Sequence, residues 1–263
     1  MDSRNPVFNN NRGFKRGGYA TFDTPSATDL QSMYDAPSAT PLQTGRMTLD
    51  DVVVRTAAVF AVLVTAAAAM YFVVKPGPVV VVGAAIAALV VGLVVNLGKT
   101  VRPALILLYG ALEGVFVGGI SYWYADAFGG QIVPQAVLGT LAAFATMLVL
   151  YRTGVIRNSP KFTKILMIAL ISYLVFGVIN LLFAVFSGHN VYTSGSGLAI
   201  LVSGAGVVLA SLFLVLDFDF IEQGVRNGLP RQYSWIAAFG LVVTLVWLYL
   251  EILRLLAILQ NNR

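Results

Sequence analysis

Apolar and polar positions along the chain fall into long blocks rather than alternating. Up to residue 48 the residues are mostly Asn, Ser, Thr, Pro, Gly and Asp, and the tetrapeptide PSAT occurs twice, at Pro25–Thr28 and Pro37–Thr40. Such a stretch cannot bury enough apolar area to offset the entropy of ordering it, which predicts a disordered tail over residues 1–48. No short apolar core with a cleavage site follows its basic residues, so it does not read as a signal peptide. Beyond Leu49, apolar runs follow one another at about 52–74, 78–97, 101–124, 134–152, 163–186, 197–217 and 234–259. Each is close to or above the ~20 mostly apolar residues that a helix needs to cross a bilayer. Turn-forming residues separate them, among them Lys75-Pro76-Gly77-Pro78, Gly129-Gly130, Asn158-Ser159-Pro160 and Asn227-Gly228-Leu229-Pro230. The runs are too long and continuous for barrel strands, which alternate over ~10 residues. The pattern predicts an all-α integral membrane protein, a seven-helix bundle over 49–263 behind a disordered tail. The second run could instead turn back as a re-entrant segment.

Charge sets the orientation. With the tail inside, 14 of the 17 Lys and Arg residues fall on the inner side; only Lys75, Arg254 and Arg263 do not. That bias predicts a cytoplasmic N-terminus and an external C-terminus in the plasma (inner) membrane. It needs an odd number of spans, because dropping one would scatter the basic loops downstream. Composition agrees: 58% of the 263 residues are hydrophobic and 11% charged, against ~25% charged in ordinary soluble domains. The absence of cysteine excludes disulfides and thiolate metal sites. The basic residues follow topology rather than forming a patch, so no nucleic-acid partner is expected; the partner that composition implies is the lipid bilayer.

An ionisable group inside a span is costly and is by default a functional candidate. Glu113 lies in the middle of the third run, Glu251 in the seventh, and Asp217 and Asp219 at the inner end of the sixth. Glu251 and Arg254 are three apart and can pair on one helical face. Glu113 has no cation in the middle of its own helix and must be neutral, paired across helices or facing water. Gly114, Gly118 and Gly119 read as packing surfaces rather than a phosphate cradle. No Walker loop, Gly-x-Gly-x-x-Gly, Gly-x-Ser-x-Gly or His-Glu-x-x-His occurs. The chain is therefore expected not to be an enzyme, and no motif indicates a cofactor.

Leu214-Val215-Leu216-Asp217-Phe218-Asp219-Phe220-Ile221, a polar loop, and then Trp247-Leu-Tyr-Leu-Glu251-Ile-Leu-Arg254-Leu-Leu-Ala-Ile-Leu259 resemble the transmembrane Bax inhibitor motif (Bax inhibitor-one) family. The Asn5-Pro6-Val7-Phe8 start, the long polar tail and the Glu113-Gly114 pair resemble its bacterial branch. The resemblance implies a central last helix wrapped by the other six and a pH-sensitive calcium leak. In that family an acid at the end of helix six shares a proton with an acid in helix seven. An arginine at the inner end of helix two latches onto the first acid. Asp217 matches the helix-six acid. Aligning Leu-Tyr-Leu-acid puts the helix-seven position at Glu251; aligning Leu-Arg-Leu-Leu puts Thr244 there. Asn96 stands near the latch position, with Lys99 and Arg102 the nearest cations.

Together these readings give a leak with calcium as the permeant ion. Asp217, Asp219, Lys99 and Arg102 would form an inner gate, opened when protonation breaks an ion pair of Asp217. Glu113, Glu251, Thr244 and Arg254 would line the path. The alternative is a non-transporting regulator that binds a membrane protease or another membrane complex, as one bacterial relative implies.

Overall fold

The computed structural model describes residues 45–98, 100–187 and 197–262, together with Ser26, Thr28 and Gln31. Seven helices follow one another: α1 Leu49–Ala69, prolonged by a π-helical turn Met70–Val74, α2 Pro78–Leu97, α3 Pro103–Phe128, α4 Ile132–Arg152, α5 Pro160–Ser187, α6 Gly197–Arg226 and α7 Tyr233–Asn261. All seven are long and apolar enough to cross a membrane, and the chain is a multi-pass membrane protein. Among the described residues there is no strand, only one isolated bridge between Arg46 and Pro230. The second run, at 20 residues, is a full helix and not a re-entrant piece.

Local chemistry starts the helices where the turn residues indicated. Pro78 and Pro103 open α2 and α3 at a position where a missing N–H costs nothing. The Thr48 hydroxyl accepts the Asp51 N–H at 3.1 Å and caps α1, and Asp50 and Asp51 suit the positive end of the helix dipole. The turn after α1 is pinned from across the bundle by Trp123, whose indole N–H donates to the Pro76 carbonyl at 3.1 Å.

α7 is the axis of the bundle. It packs against α1, α3, α4 and α6, while α2 rests on α3 and α5 on α6. The last helix is thus central, as the family resemblance implies, but four helices wall it directly and two form an outer layer. Val242, Leu248 and Leu253 of α7 are wholly buried. α5 shows the opposite pattern: Ile168, Val175 and Leu182 are all more than half exposed, in a protein whose outer solvent is lipid.

The tightest contact joins α1 to α3. Gly110, Gly114 and Gly118 form a stripe along α3, one every four residues. A Cβ added to them would lie 3.1, 2.3 and 2.4 Å from the carbonyl oxygens of Val59, Leu63 and Ala67. The two backbones meet because nothing stands between them, the close approach that small residues permit in lipid.

Two boundaries differ from the sequence expectation. α6 continues nine residues past 217, so Asp217 lies inside the helix, ~13 Å from its end by helical rise. The packed body also begins before Leu49. Met47 is 2% exposed and sits among Val52, Ile221 and Ala237. Its N–H donates to the Leu229 carbonyl at 2.7 Å, and the Arg231 N–H donates to the Gly45 carbonyl at 2.8 Å. Asp51 accepts Arg231 Nε at 2.8 Å, and Arg55 donates to the Arg231 carbonyl while lying over the Trp235 ring. Residues 45–48 are therefore a short strap laid on the α6–α7 turn; the tail before Gly45, apart from Ser26, Thr28 and Gln31, lies outside the described residues. The strap, the α4–α5 loop, the α6–α7 turn and the start of α3 share one face, which carries nine of the described cations.

Candidate functional site

Asp217 projects from α6 into its interface with α7. Its Oδ2 is fully buried and has no hydrogen-bond partner among the described residues. The polar side chain that faces it is Thr244, whose hydroxyl also donates to the Gly240 carbonyl at 3.3 Å. Gly240 leaves open the side toward Asp217 Oδ1. The α7 residue opposite Asp217 is thus Thr244 and not Glu251. Glu251 lies seven residues further along α7, ~10 Å away by helical rise. The two acids do not meet and cannot share a proton directly.

Asp219 faces elsewhere. Its Oδ2 accepts Asn158 Nδ2 at 2.6 Å and Gln223 Nε2 at 2.5 Å, and Asn158 in turn accepts the Thr163 hydroxyl at 2.7 Å. Nearby, Glu222 accepts the Tyr151 hydroxyl at 2.5 Å and pairs with Arg226. These bonds tie the end of α6 to α4 and the α4–α5 loop. Among the described residues the expected inner gate of acids and cations is not assembled. Among the described residues neither Asp217 nor Asp219 forms an ion pair, so no pair at Asp217 exists there for protonation to break. Arg102 lines a separate cavity with Val94, Leu105 and Ile236. Asn96 is exposed on α2. Lys99 lies outside the described residues.

In the other half of the bundle Glu251 is 3% exposed and well supplied with donors. Arg254 Nη1 lies 3.1 and 3.2 Å from its two oxygens, and the Trp247 indole N–H donates at 3.2 Å. Tyr173 of α5 reaches the same cluster, its hydroxyl 3.4 Å from Arg254 Nη1. Ser203 of α6 donates to the backbone carbonyl of Glu251 at 3.4 Å. Gly206 makes the room: a Cβ there would stand 2.7 Å from Glu251 Oε2 and 2.6 Å from the Tyr173 hydroxyl. The Glu251–Arg254 pair follows from its spacing, and Trp247, one turn before Glu251, could have been added by the same rule. Tyr173 and Ser203 carry no such signal, because they arrive from other helices.

Glu113 is half-buried on α3. The polar group beside it is the Tyr109 hydroxyl, one turn earlier on the same helix. Tyr109 is held edge-on against Phe239 of α7, with ring centroids 4.8 Å apart, and lies under Gly92 of α2. Among the described residues Glu113 therefore has a hydroxyl neighbour from its own helix rather than a cation from another. Among the described residues no three His, Asp or Glu side chains converge into a metal-holding cluster. The four acids occupy separate places in the bundle, and only Asp217 has a buried oxygen with nothing bound to it.

Comparison with curated proteins finds no match. A family model described as Bax inhibitor 1 like matches residues 5–261, nearly the whole chain, and with its seven spans and central last helix the chain belongs to that family.

Proposed function

We propose that the protein is a cation leak, with calcium as the permeant ion, gated at Asp217 in the α6–α7 interface. The observation that carries this reading is the buried, unpartnered Oδ2 of Asp217 beside Thr244. While neutral, the carboxyl is tolerated in the closed interface. Once ionised, it is a buried charge with no counter-ion, which is costly in a low-dielectric interior. Water or a passing cation entering the interface relieves that cost, and a carboxylate is a ligand that calcium prefers. Leak therefore rises with pH. Glu113 is the second carboxylate on offer to a passing ion, whereas Glu251, neutralised by Arg254, holds α5, α6 and α7 together. In this reading the membrane is the plasma (inner) membrane, and the charge bias supports a cytoplasmic side for the strap and Asp219.

The test is calcium entry into liposomes carrying the purified protein, from mildly acid to mildly alkaline pH. Flux should climb with pH, and Asp217→Asn should flatten that profile. No flux at any pH from folded protein would overturn the reading.

A second reading, a regulator of a membrane protease or other complex, is favoured by the strap. A partner that grips the tail would pull directly on Met47 and hence on the α6–α7 turn. Loss of co-purifying partner on removing residues 1–44, with flux absent, would select it.

A further inference from the structure

The bundle is open to the membrane along one side. α1 and α4 stand on either side of a cleft of about 1800 Å³ that runs most of the length of both helices. Leu241, Leu245 and Val246 of α7 form its floor, and apolar side chains such as Phe60 and Phe144 form its walls. At the basic face the lining changes to Arg152, Arg157, Asn158, Asp219, Glu222 and Arg226. Arg226 is paired with Glu222, and Asp219 is engaged by Asn158 and Gln223. Arg152 and Arg157 form no ion pair among the described residues, although Arg157 is near enough to Glu222 to act on its charge, and the rim keeps a net positive charge.

These features describe an amphiphile's binding site. The middle is apolar, and two guanidinium groups outside any ion pair among the described residues stand at the basic end. Arginine forks match phosphate oxygens, and basic pockets between spanning helices at the cytoplasmic surface attract anionic headgroups. A partner helix fits less well. Helices dock in lipid on small residues, whereas the α4 wall carries Val137, Leu141, Phe144 and Leu148. A flexible chain fills such an irregular wall.

We propose that the α1–α4 cleft holds an anionic phospholipid of the basic-face leaflet. One acyl chain lies between Phe60 and Phe144, and the phosphate is on Arg152 and Arg157. This site does not depend on ion passage and stands or falls without it.

The test is native mass spectrometry of the full-length protein, titrated with dioleoyl phosphatidylglycerol or dioleoyl phosphatidylcholine. Phosphatidylglycerol should bind about 30-fold more tightly, as two headgroup-level arginines imply. Arg152→Gln with Arg157→Gln should bring the two lipids level, and Arg152→Lys with Arg157→Lys should keep a preference. Leu148→Trp, which fills the cleft, should weaken both. Thermal unfolding of each variant shows that it is folded. Equal binding of the two lipids by the parent protein, or a preference that survives the double glutamine variant, would overturn the proposal. So would a photo-cross-linker at Phe144 that captures a protein instead of lipid in whole cells.

Discussion

Arg254→Leu isolates a carboxylate at the centre of the bundle. Glu251 is 3% exposed and loses a guanidinium that stands 3.1 and 3.2 Å from its oxygens. Removing one partner of a buried ion pair costs about 3–5 kcal/mol. Two features reduce that figure here. The Trp247 indole N–H still donates at 3.2 Å, a bond worth about 1 kcal/mol. Arg254 is also 32% exposed, so part of the attraction is already screened. The expected loss is about 2–3 kcal/mol. Glu251→Leu alone should cost less, about 1 kcal/mol, because Arg254 stays beside the Tyr173 hydroxyl and can extend toward the nearby interface. The double variant should then cost about as much as Glu251→Leu alone, giving a coupling energy of about 2 kcal/mol. Reversible unfolding in mixed micelles of mild detergent and dodecyl sulfate, followed by far-ultraviolet circular dichroism, measures all four proteins without relying on Trp247 fluorescence. Additive single effects, or a loss for Arg254→Leu under about 0.5 kcal/mol, would refute the argument that this pair is buried and mutually dependent.

Three further outcomes follow from the packing and the strap. Gly118→Ala puts a Cβ 2.4 Å from the Ala67 carbonyl oxygen and should destabilise by more than about 2 kcal/mol in the same unfolding measurement. Gly204→Ala, with nothing within 4 Å, should instead be neutral or gain up to about 1 kcal/mol from helix propensity. Asp51→Asn weakens the bond to Arg231 and should loosen the strap, read as faster limited proteolysis near Gly45 with the bundle itself intact.

The seven spans, the basic face and the Glu251–Arg254 pair were legible in the sequence because each is local: a run length, a loop charge, a spacing of three. The glycines of α3 were legible as packing residues, though not their partners on α1. Thr244 opposite Asp217 was one of two open alignments, and packing selected it. The end of α6 was misplaced for a physical reason. Asp219, Glu222 and Arg226 make that segment look like a loop by hydropathy, yet Gln223, Asn158, Tyr151 and an i,i+4 ion pair satisfy their charges within a helix. The α1–α4 cleft, the strap and the approach of Tyr173 to Glu251 join residues far apart in the chain. No periodicity reports such contacts.

The place of α7 in the chain has a consequence for how the protein is made. It is the last of the seven helices to leave the ribosome, yet it is the one on which four others pack. Until it inserts, α1, α3, α4 and α6 hold their inner faces toward lipid, and a chain stalled before Tyr233 has an unfilled centre. α1 and α3 can still join through the glycine stripe, so that pair is the natural first assembly intermediate. Quality control that recognises unsatisfied intramembrane faces would therefore act on almost every incomplete chain until α7 is in place.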